Sequence, residues 1–183
     1  MKILVTGGSG FLGSHVADQL SAAGHKVIIY DKKKSKWLRK DQKMIIGDLQ
    51  DISKLEKAVA SSDVVYHFAA LADIDEALKK PIDTAKINIF GTVLALELCS
   101  KYKVKRFVFV SSQSMYGISN IDEELDEDKS EKNPITTYAK TKWNAEVDLK
   151  KLSNNNFVVS CFRPSTVFGS SPRLRCDIVF NNL

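Results

Sequence analysis

The sequence predicts a doubly wound α/β fold, a parallel sheet of six or more strands with helices on both faces. Three observations carry that expectation. Short apolar runs bounded by turn residues recur at 3–6, 27–30, 44–46, 64–68, 107–110 and 157–162, and read as buried strands. Helical periodicity fills most of the intervals, so strand and helix alternate almost from end to end. A glycine-rich turn joins the first strand directly to the first helix.

Taken in order, the helix over 11–23 carries Leu12, Val16 and Leu20 at helical spacing. The helix over 52–60 follows Asp51, an N-cap residue type. A longer helix over 81–100 starts at Pro81, favoured in a first turn, and continues through Ile89, Val93 and Leu96. The last covers 138–152. Right-handed crossovers between six such strands give the order 3-2-1-4-5-6. The stretch 121–134 reads as a long acidic loop with solvated carboxylates.

At 183 residues the chain suits one well-cored domain. Its 44% hydrophobic and 27% charged residues exclude disordered and membrane-spanning compositions. No apolar run reaches the ~18 residues of a spanning helix, and no signal-peptide pattern opens the chain, so a cytoplasmic location is expected. Cys99, Cys161 and Cys176 are odd in number and widely spaced, which fits reduced thiols rather than disulfides or a metal site. The net charge of +5 is read as spread along the chain, with Lys32-Lys33-Lys34 a solvated loop and no nucleic-acid motif. A phosphate-bearing small molecule accounts for the sign.

The turn itself reads Thr6-Gly7-Gly8-Ser9-Gly10-Phe11-Leu12-Gly13. Its spacing fits GxGxxG from Gly8 or GxxGxxG from Gly7. Glycines allow a tight turn and close backbone approach, while the helix N-terminus offers unpaired N–H groups to a pyrophosphate. With Asp31 closing the second strand, where a carboxylate accepts from ribose hydroxyls, the pattern is that of a Rossmann dinucleotide site. The same carboxylate would repel a 2′-phosphate, which favours NAD over NADP.

Tyr138 and Lys142 lie four apart on a predicted helix and share a face. An ammonium beside a phenol favours the phenolate, so the tyrosine can exchange a proton with an alcohol near neutral pH. Ser111 and Ser112 end the fifth strand, and carboxyl ends of parallel strands face the ligand crevice.

Together these features resemble the extended short-chain dehydrogenases/reductases, in particular the NAD-dependent epimerase/dehydratase family typified by UDP-glucose 4-epimerase. The resemblance rests on Gly7, Gly10 and Gly13, on Asp31, on Gly47-Asp48-Leu49, on His67-Phe68-Ala69-Ala70 and on Asn88-Ile89-Phe90-Gly91-Thr92. It continues through Ser111-Ser112 with Tyr116-Gly117, Tyr138 with Lys142, and Arg163-Pro164 leading to Phe168-Gly169.

The resemblance implies a cofactor site of Gly7, Gly10, Phe11, Leu12, Gly13 and Asp31, with Asp48 and Leu49 at the adenine. Phe68, Ala69, Ala70, Asn88, Ser111 and Pro164 would lie along the dinucleotide, and Lys142 would bind the nicotinamide ribose beside Tyr138. Ser112, Tyr138 and Lys142 are the implied catalytic residues, acting on a nucleotide-sugar hydroxyl in an epimerase, a reductase or a dehydrogenase; a non-catalytic dinucleotide-binding scaffold is the other reading. Dehydratases of the family carry Asp-Glu where this chain has Gln113-Ser114, which points to epimerisation. Relatives carry an asparagine before the turn at Val167-Phe168-Gly169, and Ser165-Thr166 lacks one. Relatives also continue into a smaller C-terminal region that closes over the sugar. That region is expected to be largely absent here, with 173–180 as its start, leaving one NAD-binding domain over 1–183. The helices 81–100 and 138–152 imply a homodimer.

Overall fold

A computed structural model of the chain describes residues 1–118 and 124–171. The predicted tail at 173–180, Cys176 and the first part of the acidic loop lie outside the described residues. Six parallel strands form one sheet in the order β3-β2-β1-β4-β5-β6. They are β1 (Lys2–Thr6), β2 (Lys26–Asp31), β3 (Lys43–Ile46), β4 (Val64–His67), β5 (Arg106–Val110) and β6 (Val158–Phe162). Each predicted strand is present, its ends shifted by no more than a residue, as hydrogen-bond pairing rather than hydropathy sets them. The order reverses direction between β1 and β4, and the carboxyl ends of those two strands open the crevice.

Side-chain alternation splits the core. Leu4 of β1 joins Val65, Phe107 and Phe109 on one face, where α2 (Ile52–Ala60), α5 (Gly91–Lys101) and α6 (Thr137–Leu152) pack through Leu55, Leu96 and Leu149. Ile3 and Val5 point the other way with Val27 and Ile29, and α1 (Phe11–Ala22) meets them through Ala17.

The predicted single helix over 81–100 is three helical pieces in succession. They are α4 (Pro81–Ala85), a π-helical turn (Lys86–Phe90) and α5. In the π turn the Gly91 N–H reaches back to the Lys86 carbonyl, and Gly91 lets the helix press on Leu49, which an added Cβ would meet at 3.0 Å. Periodicity cannot show one inserted residue. A short helix, α3 (Ile74–Lys79), was not expected, although its signal is in the sequence: Asp73 caps it, accepting from Glu76 N at 2.8 Å. A 3₁₀ turn over Gln113–Tyr116 follows β5, capped by Ser112.

A buried ion pair ties α6 to the chain leaving β6. Arg163 clasps the fully buried Glu146 carboxylate, with Nη2 to Oε2 at 2.7 Å and Nε to Oε1 at 3.1 Å. Arg163 Nη1 also donates to Tyr116 Oη at 2.7 Å and to the Glu127 carbonyl at 2.8 Å. One guanidinium thus joins a helix, the 3₁₀ turn and the acidic loop, and the paired carboxylate raises its pKa further above the usual arginine value. Replacing Glu146 by Ala leaves an uncompensated charge and is expected to destabilise the chain by about 3 to 5 kcal/mol in urea unfolding. The double variant Glu146→Met/Arg163→Met is expected to recover part of that loss.

Candidate functional site

A cleft lies across the carboxyl ends of the central strands. It is lined by every residue predicted for the cofactor or for catalysis except Asn88.

The glycine turn forms its floor. Gly7 has φ +70°, and a Cβ there would stand 2.6 Å from the Ala69 nitrogen. A Cβ on Gly13 would overlap the Gly7 carbonyl, and one on Gly10 would stand 3.0 Å from that same oxygen. The positions that must stay bare for the turn to close on helix α1 are therefore Gly7, Gly10 and Gly13, the GxxGxxG reading. Gly8 is bare for another reason, its place against the Ile29 side chain at 2.9 Å. Gly10 caps α1 with no side-chain acceptor, which leaves first-turn N–H groups for an anion.

Asp31 closes β2 as a nearly buried carboxylate. Its oxygens accept from Ser9 N at 3.0 Å and Lys33 N at 2.9 Å, so the group is held in place while each oxygen keeps a further acceptor position. Beyond it, Tyr30 donates to the Asp48 carbonyl at 2.7 Å. Burial, then the charges of Asp51 and Asp48, push the Tyr30 phenol up to about 12, so it stays a donor. Gly47 makes room for that phenol, whose oxygen an added Cβ would approach to 2.5 Å.

Asn88 lies behind the cleft wall. Its amide takes both backbone groups of Leu71, accepting at 2.8 Å and donating at 3.1 Å, and donates to Thr141 Oγ1 at 3.1 Å. It is almost wholly buried, and all its polar atoms are engaged in fixing the segment after β4 against α6. The sequence motif marks this residue without showing which way its amide faces. A second buried chain, unnoticed in the sequence, runs beside it. Thr6 Oγ1 bonds His67 Nδ1 at 2.9 Å, His67 Nε2 bonds Thr92 Oγ1 at 3.1 Å, and Thr92 donates to the Asn88 carbonyl at 2.8 Å. Since Thr92 uses its proton on Asn88, it accepts from His67 Nε2, which leaves Nδ1 to accept from Thr6. Burial, aided by the Lys142 charge, lowers His67 to about 3, so the ring is neutral and serves as a strut.

At the far end, α6 brings Tyr138 and Lys142 to the cleft. Thr136 caps the helix, accepting from Ala139 N at 3.1 Å, and this sets where its first turn begins. Lys142 is 3% exposed. Its Nζ donates to the Val110 carbonyl at 2.7 Å and sits 4.6 Å from the centre of the Phe109 ring. The Tyr138 ring centre is 5.9 Å away. Burial lowers the ammonium to about 7, against the opposing pull of Glu146. Ser112 Oγ accepts from Ser114 N at 3.2 Å and Ser114 Oγ at 2.9 Å, so its own proton is available to a ligand in the cleft. Ser111 Oγ is buried with no hydrogen-bond partner among the described residues. A bare glycine cradle, an oriented carboxylate at β2 and an orphaned hydroxyl at β5 suit a dinucleotide lying across the strand ends.

Sequence reasoning did not assign Thr136, Lys32, Lys33 or the rim supplied by Ala72 to Glu76 to the site, and all of them line the cleft. The capped start of α3 could have revealed the rim. Thr136, an N-cap residue type, could have been read as the start of α6.

The model of the NAD dependent epimerase/dehydratase family matches residues 3–179. The chain is 32% identical over 158 residues to a UDP-glucose 4-epimerase of Rhizobium meliloti, covering 81% of this chain and 46% of that protein. It is 34% identical over 167 residues to a dTDP-D-glucose 4,6-dehydratase of Dictyostelium discoideum, covering 79% of this chain and 38% of the relative. Among solved structures, a UDP-glucuronic acid 4-epimerase from Bacillus cereus, in complex with UDP-glucuronic acid and NAD, superposes with a TM-score of 0.85 at 30% identity. That match covers 99% of this chain and 61% of the other. The chain thus spans about half or less of these two curated relatives. With the family matched along nearly its whole length and the fold shared with a solved relative, the chain belongs to the NAD-dependent epimerase/dehydratase family.

Proposed function

We propose that this chain supplies the NAD-binding domain and the proton-transfer residues of a nucleotide-sugar epimerase. The observation that carries the reading is the arrangement on α6: an ammonium buried beside the Tyr138 ring, in a cleft that is also lined by Ser112, whose hydroxyl proton is available to a ligand.

In this proposal the N–H groups of the turn at Gly7, Gly10, Phe11, Leu12 and Gly13 hold the pyrophosphate, and Asp31 accepts from the adenosine ribose. Asp48 and Leu49 border the adenine, while Phe68, Ala69, Ala70 and Pro164 flank the dinucleotide. Ser111 satisfies its hydroxyl on the cofactor. Asn88 acts at one remove, by fixing Leu71. Bound NAD would supply a reversible hydride acceptor at one sugar carbon. Ser112 holds the hydroxyl of that carbon, and Tyr138 takes its proton. Lys142 favours the tyrosinate by its charge and holds the nicotinamide ribose.

The chain's similarity to an epimerase and to a dehydratase is nearly equal, so identity does not choose between them. What supports epimerisation is the wall beside Ser112, where Gln113 and Ser114 stand and neither can act as the carboxylate acid and base that elimination of water needs. The proposal includes a homodimer through α4 to α6, where Ile82 and Phe90 are exposed apolar residues. It also includes a cytoplasmic setting, supported by the free thiols Cys99 and Cys161.

Calorimetric titration is expected to show NAD binding, with NADP weaker. Asp31→Ala is expected to weaken NAD by about tenfold and to narrow the preference, as one charge-assisted hydrogen-bonded contact is lost. A folded chain that binds no dinucleotide would overturn the proposal. With NAD and a panel of UDP- and dTDP-hexoses, the expected product is an epimer without net NADH, and Tyr138→Phe is expected to abolish turnover while leaving NAD affinity within about twofold. Equal turnover in that variant would remove Tyr138 from the chemistry.

The buried lysine gives a test independent of turnover. Its pKa in the folded chain, about 7, lies below the ordinary 10.5. Between those values the unfolded chain binds more protons, so the folded chain is expected to gain stability as pH rises from 7 towards 10. Lys142→Met is expected to lack that rise and to be more stable than the parent at pH 6 by about 1 to 3 kcal/mol in urea unfolding.

A further inference from the structure

The loop between β2 and β3 does not fit the expectation that positive charge is spread along the chain. Residues 32–40, Lys-Lys-Lys-Ser-Lys-Trp-Leu-Arg-Lys, hold six cations and no acid. With Asp41 counted, the whole loop over 32–42 carries +5, the entire net charge of the chain, and leaves the other residues at zero. All six cations are solvent-exposed. Only Arg39 has an acidic partner, Asp41 at 2.9 Å. Among the described residues, Lys32, Lys33, Lys34, Lys36 and Lys40 have none.

An apolar pair crowns the same loop. Trp37 is 61% exposed and Leu38 38%. Trp143, the chain's other tryptophan, is half-buried on α6. The loop backbone beneath Trp37 is held in place: Trp37 N donates to Ser35 Oγ at 3.2 Å, and Ser35 N donates to Met44 Sδ at 3.3 Å. The root is fixed too, since Ser9 Oγ donates to the Lys33 carbonyl at 2.9 Å.

We propose that this loop is a docking element for an anionic lipid bilayer, the lysines meeting acidic headgroups and Trp37 with Leu38 entering the headgroup boundary. An indole suits that boundary because its body is apolar and its N–H polar. Clustered lysines gain from an anionic leaflet in proportion to their number near it. A nucleic acid would also attract the lysines, and Trp37 could stack on a base, but Leu38 has no face to stack; an aliphatic residue beside the indole fits a hydrocarbon boundary. This is adsorption rather than spanning, and no helix among the described residues is long and apolar enough to cross a membrane. Lys32 and Lys33 line the cleft, so docking would set the end of the cleft at Asp31 against the lipid surface.

The test is co-sedimentation of the full chain with vesicles of phosphatidylcholine alone and with about one-third phosphatidylglycerol. Binding is expected to the anionic vesicles, at least about tenfold above the neutral ones, and to vanish in about 0.5 M salt. Trp37 emission is expected to shift to the blue. Lys34→Gln/Lys36→Gln/Lys40→Gln lies outside the cleft and is expected to reduce binding by about 10- to 100-fold, and Trp37→Ala by several-fold, both with an unchanged thermal midpoint. Two results would overturn the proposal: no preference for anionic vesicles, or tighter binding to a single-stranded RNA oligonucleotide than to those vesicles. Neither result bears on NAD binding, so this inference and the proposed function fail separately.

Discussion

Burial of the Lys142 ammonium constrains much of what surrounds the cleft. A charge taken from water must meet compensating groups, and here the β5 backbone provides one through the Val110 carbonyl, Phe109 another through its ring face, and Glu146 a third one turn further along α6. Glu146 is itself buried, so it in turn requires Arg163. Arg163 then fixes Tyr116 and the acidic loop. A line of polar side chains at four-residue spacing, Tyr138, Lys142 and Glu146, thus determines how α6 sits on the sheet and where the chain runs after β6. The lowered lysine pKa follows from the same burial, and so does the destabilisation expected when either member of the ion pair is removed.

The opposite end of the cleft depends on close backbone approach instead of charge. The turn after β1 touches the chain after β4 at Gly7 and Ala69, which only a residue without Cβ allows. The His67 strut then carries this contact outward, through Thr92 and the Asn88 carbonyl, to the π turn. Asn88 completes the link to α6 through Thr141. The glycine turn and helix α6 are therefore joined by buried hydrogen bonds that do not pass through the cleft. Such a frame resists relative movement of the two ends, as the proposed transfer between a cofactor and a sugar would require.

Charge is distributed unevenly on the outside of the same frame. In the proposed reading the N–H groups of the glycine turn hold the phosphates without any basic surface. The loop over 32–40 is therefore surplus to the cleft, apart from Lys32 and Lys33 at its edge. A near-neutral body with one cationic, tryptophan-bearing loop is a different object from a uniformly basic protein. Its electrostatic attraction has a direction.

What the sequence alone determined was whatever depends on neighbours along the chain. Hydrophobic runs marked the six strands, alternation with helices pointed to the doubly wound order, and the glycine turn with Asp31 marked one wall of the cleft, because each is a local pattern; which glycines close the turn was left to the structure. Tyr138 with Lys142 was legible for the same reason, four residues being one helical turn. Only the tertiary structure decided what depends on approach between distant segments. It placed Asn88 behind the wall, since the direction of an amide is set by Leu71 and Thr141 and not by its own neighbours. It inserted the π turn, joined His67 to Thr6 and Thr92, and paired Glu146 with Arg163 across 17 positions. It also left Trp37 in solvent, because exposure is a property of what packs against a side chain and no sequence window contains that.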